Sequence, residues 1–135
     1  MGRISQWFGQ VGTKLKAMPS SKGQQAEAIA AQYLKRKGLT LVQQNYRTPL
    51  GEIDLICQDQ QQLVFVEVRY KAGSDPLISP AETITRSKQL KVIKAARHYL
   101  QRHDPAGHLS CRFDVVAMTG QLSDPQIDWL PHAFY

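Results

Sequence analysis

Cysteine is scarce in this chain: two residues, Cys57 and Cys111, among 135. Neither belongs to a C-x-x-C pair, which argues against a zinc ribbon. The two could meet as a disulfide, but lone cysteines in strand-like segments are more often buried thiols, and a reducing compartment is expected. Long apolar runs are also missing. None approaches a transmembrane span, and none has the length of a signal peptide, so a cytoplasmic protein is expected. Gln6 stands where a myristoylation motif needs Ser or Thr. The four histidines, His98, His103, His108 and His132, show no ligand spacing matched to a carboxylate motif. They are read as surface or packing residues. Aromatic residues are not clustered as a single-strand stacking platform would require.

Acidic residues are outnumbered. Eleven Asp and Glu face 17 Lys and Arg, a formal net charge of +6. A basic surplus favours polyanionic partners, nucleic acid first and an acidic membrane surface second. The 42% hydrophobic and 21% charged fractions are those of a globular protein with a real core. At 135 residues, one domain is expected.

Residues 1–20 read as separate from that domain. Ile4, Trp7, Phe8, Val11 and Leu15 recur at helical spacing beside Lys14 and Lys16. A short amphipathic helix docking on a partner or membrane is one reading; a loosely packed extension is preferred. Met18-Pro19-Ser20-Ser21 marks the boundary, and residues 21–135 form the domain.

A helix is predicted from Lys22 to Lys37, capped by Ser20 or Ser21 and stopped by Gly38. Strands are predicted at Leu39–Tyr46, Glu52–Cys57 and Leu63–Tyr70, with Asp59-Gln60-Gln61-Gln62 as a four-residue hairpin loop. A Gly-Ser-Asp-Pro turn at 73–76 leads to a long helix. Ser79-Pro80-Ala81-Glu82 has the form of a capping box, and Thr85 offers a second start. Its pattern runs through Ile84, Leu90, Ile93, Ala96 and Leu100. Arg112–Met118 and Gln126–Leu130 are further strands. The order predicts a mixed sheet with helices packed on it.

The third strand carries the anomaly. Side chains on a strand alternate faces, so Val64, Val66 and Val68 share one side and Leu63, Phe65, Glu67 and Arg69 the other. Both faces are largely apolar, which predicts a central strand covered on both sides. Glu and Arg are rarely buried unless paired. Closing the hairpin sets Gln58 against Leu63, Ile56 against Phe65, and Asp54 against Glu67. Opposed side chains lie roughly 5 Å apart at Cβ, so two carboxylates there call for a cation between them. Mg²⁺ and Mn²⁺ choose such oxygens. A structural ion pair of Arg69 with Glu67 or Asp54 is the plainer alternative. A one-residue slip would turn Asp54 away.

Gly51-Glu52-Ile53-Asp54-Leu55-Ile56, followed by Val64-Phe65-Val66-Glu67-Val68-Arg69, resembles the YraN family of small bacterial proteins. Gly23-Gln24-Gln25-Ala26-Glu27, Lys88-Gln89 and Arg112-Phe113-Asp114-Val115-Val116 extend the resemblance over about residues 21–135. The family is similar in pattern to the restriction-endonuclease-like superfamily, especially archaeal Holliday-junction resolvases. The resemblance implies an α/β fold with a mixed central sheet flanked by helices. That superfamily's signature is an acid on the first helix, an Asp on one strand and Glu-x-Lys on the next. These positions fall on Glu27, Asp54, and Glu67 with Arg69. The resemblance implies Mg²⁺ or Mn²⁺ held by Asp54, Glu67 and Glu27, and hydrolysis of phosphodiester bonds in DNA, branched or damaged, or in RNA. Arginine stands where the signature has lysine. Arg clamps phosphate but does not give up a proton near neutral pH, and Lys71, two residues on along the same face, is the candidate substitute.

Gln24, Arg86, Lys88, Gln89 and Lys91 are the candidate nucleic-acid contacts, the last four on a basic helix that continues through Lys94 and Arg97. Asp114 is assigned a structural hydrogen-bond role. A homodimer would suit a junction cutter. Two other functions remain: a nucleic-acid-binding protein that keeps the fold without cutting, and a protein-interaction domain.

Overall fold

The computed structural model describes residues 21–73 and 84–135. The 1–20 extension and the Ser79–Glu82 capping box lie outside them. The elements are α1 (Lys22–Arg36), β1 (Thr40–Thr48), β2 (Gly51–Asp59), β3 (Gln62–Lys71), α2 (Arg86–His103), β4 (Ser110–Thr119) and β5 (Gln126–Phe134).

Helix α1 starts because Ser21 caps it. The Ser21 hydroxyl accepts from the Gln24 N–H, and Gln24 Oε1 accepts from the Ser21 N–H, each at 3.1 Å. It ends where Gly38 takes a left-handed φ of 101°. Helix α2 uses the second of its two sequence-level starts. Thr85 is the cap, its hydroxyl accepting from the Lys88 N–H at 3.1 Å. Ile84 therefore precedes the helix instead of belonging to it, and it is buried there. The apolar stripe shifts accordingly: Val92, Ala95, Ala96 and Tyr99 are buried, while Leu90 is exposed.

The five strands form one sheet in the order β1-β2-β3-β4-β5. β3 and β4 run parallel and the other neighbours antiparallel, so the sheet is mixed. A parallel pair needs a long crossover, and α2 lies within it. One helix packs on each face. Val64, Val66, Leu55, Cys57, Val116 and Met118 form a core with α1. Phe65, Leu63, Ile56, Ile53 and Val115 form another with α2. Burying each such side chain fully contributes about 1.5–3 kcal/mol. β3 is central and covered on both sides, as its two apolar faces require. This α/β arrangement is consistent with a restriction-endonuclease-like fold.

The hairpin register is the one the sequence count suggests, Gln58 with Leu63 and Ile56 with Phe65. The loop is shorter than four residues, because Asp59 pairs with Gln62. Only Gln60-Gln61 turns, with Gln60 at φ 57°.

Asp114 is fully buried and fully used. It accepts from Arg112 Nε at 3.0 Å, Trp129 Nε1 at 2.9 Å and the His132 N–H at 3.1 Å. The last of these lies where the β4–β5 register shifts between Phe113 and Val115. A carboxylate thus satisfies a backbone donor that the ladder leaves out, the structural role assigned to it from sequence. The cysteines correct one expectation. Both are free and Cys57 is buried, its thiol pushed up to about 12 chiefly by burial, but Cys111 is exposed.

Candidate metal and phosphate site

Asp54 reaches its place because β2 changes face there. Ile53 and Ile56, of opposite parity, both join the core under α2, while Leu55 joins the core under α1. The β2–β3 ladder stops at Leu55–Val66. One step further along the same register sets Asp54 opposite Glu67. Asp54 Oδ2 accepts from the Val68 N–H at 2.8 Å, taking over a donor beyond the end of the ladder.

Glu67 points from β3 toward α2 and is 3% exposed. Its Oε2 lies 3.8 Å from an Arg69 guanidinium nitrogen and 3.9 Å from Lys88 Nζ. Both distances exceed a direct hydrogen bond. Its Oε1 is buried without any hydrogen-bond donor. An unpartnered buried carboxylate oxygen is costly unless a proton or a cation meets it. Burial, then the Asp54 charge, push the Glu67 carboxyl up to about 8, against the pull of Lys88 and Arg69. Asp54 is also raised, chiefly by burial, and is held back by the Val68 N–H and by the Lys88 charge. The two carboxyls also share a side-chain hydrogen bond, which lowers Asp54 and raises Glu67, so the proton is held on Glu67 beside the Asp54 charge.

Glu27 lies in the second turn of α1 and faces the same place. Burial and the Asp54 charge raise its carboxyl, and a hydrogen bond with the Asn45 side chain lowers it. Asn45 did not emerge from the sequence. It lies on β1 with a left-handed φ of 53°, a conformation Asn tolerates better than most residues. An Asn amid residues of a strand is the only hint the sequence contains. Among the described residues, no group of three or more His, Cys, Asp or Glu is disposed to hold a metal. Asp54 and Glu67 interact directly, and Glu27 interacts with Asp54 and Asn45.

The remaining candidates divide. Arg69 and Lys88 are brought to the carboxylates. Lys71 is exposed at the end of β3, and the cations paired with Glu67 are Arg69 and Lys88. Gln24 is occupied by the α1 cap. Arg86 donates to Gln89 Oε1 at 2.9 Å and to the Tyr135 carbonyl at 2.8 Å, and Gln89 Nε2 donates to the Ile84 carbonyl at 3.2 Å. These two tie down the start of α2. Lys91 is exposed, and its backbone carbonyl abuts Gly51, where a Cβ would collide with it. The histidines pack or lie at the surface. His98 Nδ1 bonds Tyr46 Oη at 2.6 Å, and His103 stacks on Tyr99. No helix among the described residues is long and apolar enough to cross a membrane.

Comparison with known proteins finds relatives over most of the chain. A protein from Coxiella burnetii (strain RSA 493 / Nine Mile phase I) is 49% identical over 111 residues, 82% of this chain and 89% of its own length. One from Nitrosococcus oceani is 48% identical over 113 residues, covering 84% and 90%. One from Saccharophagus degradans is 47% identical over 118 residues, covering 87% and 96%. Each bears the name UPF0102 protein. The model of the uncharacterised protein family UPF0102 matches residues 26–118, a span that holds Glu27, Asp54, Glu67, Arg69 and Lys88. The chain belongs to the UPF0102 family.

Proposed function

We propose that this protein is a metal-dependent nuclease that hydrolyses phosphodiester bonds in DNA, with branched or damaged DNA or RNA as the substrates to be separated by experiment. The observation that carries the reading is Glu67: a buried carboxylate with one oxygen lacking any donor, set beside Asp54 and flanked by two cations. A purely structural ion pair would close its hydrogen bonds; this one does not.

The residues fit Mg²⁺ or Mn²⁺, which commonly bind through one or two carboxylates, with water and substrate phosphate completing the shell. Asp54 and Glu67 would hold the ion. Such an ion supplies Lewis-acid activation of water and offsets charge building on the phosphate. The protein's own groups do the rest. The Val68 N–H fixes the Asp54 carboxylate in orientation. Glu27 and Asn45 back Asp54 from the α1 side. Arg69, half exposed beside Glu67, offers a planar fork suited to a phosphate. The net charge of +6 draws a polyanion to the surface.

The test is a panel of linear, flapped and four-way-junction DNA and matched RNA, incubated with each metal beside the Glu67→Ala variant. Metal-dependent cutting lost in Glu67→Ala supports the reading. Salt-sensitive binding with no cutting would replace it with the non-catalytic nucleic-acid-binding protein. Failure to bind any nucleic acid at low salt would leave the protein-interaction domain.

A further inference from the structure

The nuclease reading leaves one chemical role without an owner. Arginine at position 69 holds a phosphate well, but it does not give up a proton near neutral pH. Helix α2 brings a second cation to the same place. Lys88 Nζ lies 3.9 Å from Glu67 Oε2, on the opposite element from Arg69. Its side chain is 36% exposed, so the ammonium borders the buried carboxylate on one side and solvent on the other.

The placement is built. Lys88 is the third residue of α2, and its N–H is the donor that the Thr85 cap holds. Gln89 and Arg86 anchor the same turn, through Ile84 and Tyr135. Gly51 lets the β1–β2 turn pack against the Lys91 carbonyl one turn on. The Lys88 charge is felt by both Asp54 and Glu67.

Resting on the nuclease reading, we propose that Lys88, delivered by helix α2 and not by strand β3, is the lysine that orients the attacking water, and that Arg69 is left to hold the scissile phosphate. Lys88 is thus a positioning residue at the Asp54–Glu67 pair. A compact ammonium with three rotatable donors can serve a carboxylate and a water together, while the planar fork of Arg69 matches a phosphate.

The experiment measures kcat and KM with Mn²⁺ on the best substrate of the panel, for native protein, Lys88→Ala, Lys88→Met, Arg69→Ala and the double variant Lys88→Ala/Arg69→Lys. Melting temperatures show that each is folded. Loss of an orienting group costs on the order of 100-fold in kcat. Lys88→Ala and Lys88→Met are expected to lose about that factor with KM within about threefold of native. Arg69→Ala is expected to raise KM instead. The double variant, with lysine returned to β3, is expected to recover about tenfold or more of the kcat lost in Lys88→Ala. Native-like kcat in Lys88→Ala, a change in KM alone, or no recovery in the double variant overturns the assignment while leaving the nuclease reading intact. A native protein that cuts nothing overturns both.

Discussion

Asp54 on β2 accepts a hydrogen bond from the Val68 N–H on β3, at the point where the ladder between the two strands has ended. A side chain continues what the backbone stops, and that work fixes the carboxylate beside Glu67. Fold and site therefore share one residue, and a choice of substitutions separates them. Asp54→Asn keeps an oxygen for the Val68 N–H, so its melting temperature should stay near native. The rise in melting temperature on adding Mn²⁺ should vanish. Asp54→Ala should lose the Mn²⁺ effect and also about 1 kcal/mol, because a part-buried N–H loses its acceptor. Thermal unfolding of the three proteins with and without Mn²⁺ checks this; a full Mn²⁺ response in Asp54→Asn would remove Asp54 from the ligand set.

Glu67 makes stability fall as pH rises. Its carboxyl is pushed from an ordinary 4.5 to about 8 in the folded chain. Below 4.5 both folded and unfolded chains hold this proton. Between 4.5 and 8 the unfolded chain releases it and the folded chain keeps it, so ionisation favours unfolding. Above 8 both have lost it and the penalty is complete. The metal-free protein should therefore lose melting temperature from pH 5 to pH 8, and Glu67→Gln should flatten the fall by several degrees at pH 8. Melting curves across that range decide it.

The same proton sets the metal dependence. An ion binding at Asp54 and Glu67 must displace it, so Mn²⁺ affinity should climb toward pH 8 and binding should release protons. Calorimetry in two buffers of different ionisation heat measures the release. Equal heats in both buffers would contradict a protonated Glu67.

Gly51 owes its identity to a close approach and not to a turn. A Cβ there would strike the Lys91 carbonyl. Backbone on both sides cannot yield cheaply, so Gly51→Ala should cost about 1–3 kcal/mol. It should also push the start of α2 off the sheet, and with it Lys88, lowering any cutting by more than the stability loss explains. Denaturant titration alongside rates at a temperature where the variant is folded gives both quantities.

Asp114 should behave as scaffold. Replacing it with Ala leaves Arg112 Nε, Trp129 Nε1 and the His132 N–H without their acceptor, while Arg112 Nη1 keeps Asp59 and Gln62. Leaving a buried donor unsatisfied costs about 1–3 kcal/mol. Denaturation should show that loss, while Mn²⁺ binding in the folded fraction remains.

Local signals carried far in this chain. The Ser21–Gln24 cap, the Gly38 stop, the doubly apolar run of β3 and the Gln58–Leu63 count are short-range features, and short-range physics decides them. They were enough to predict the mixed sheet and to bring Asp54 toward Glu67. Loop and helix boundaries were less legible, since Asp59 and Gln62 pair by backbone geometry that composition does not report, and Thr85 prevails as the cap of α2. What only the tertiary structure decided is the environment of the carboxylates. The face change of β2 at Asp54, the left-handed Asn45 behind Glu27 and the arrival of Lys88 from another element all depend on packing between segments distant in sequence. Burial follows from that packing, and burial is the largest cause of the raised carboxyls. The residue types were written in the chain; which cation meets which acid was settled by the distance between a helix and a strand.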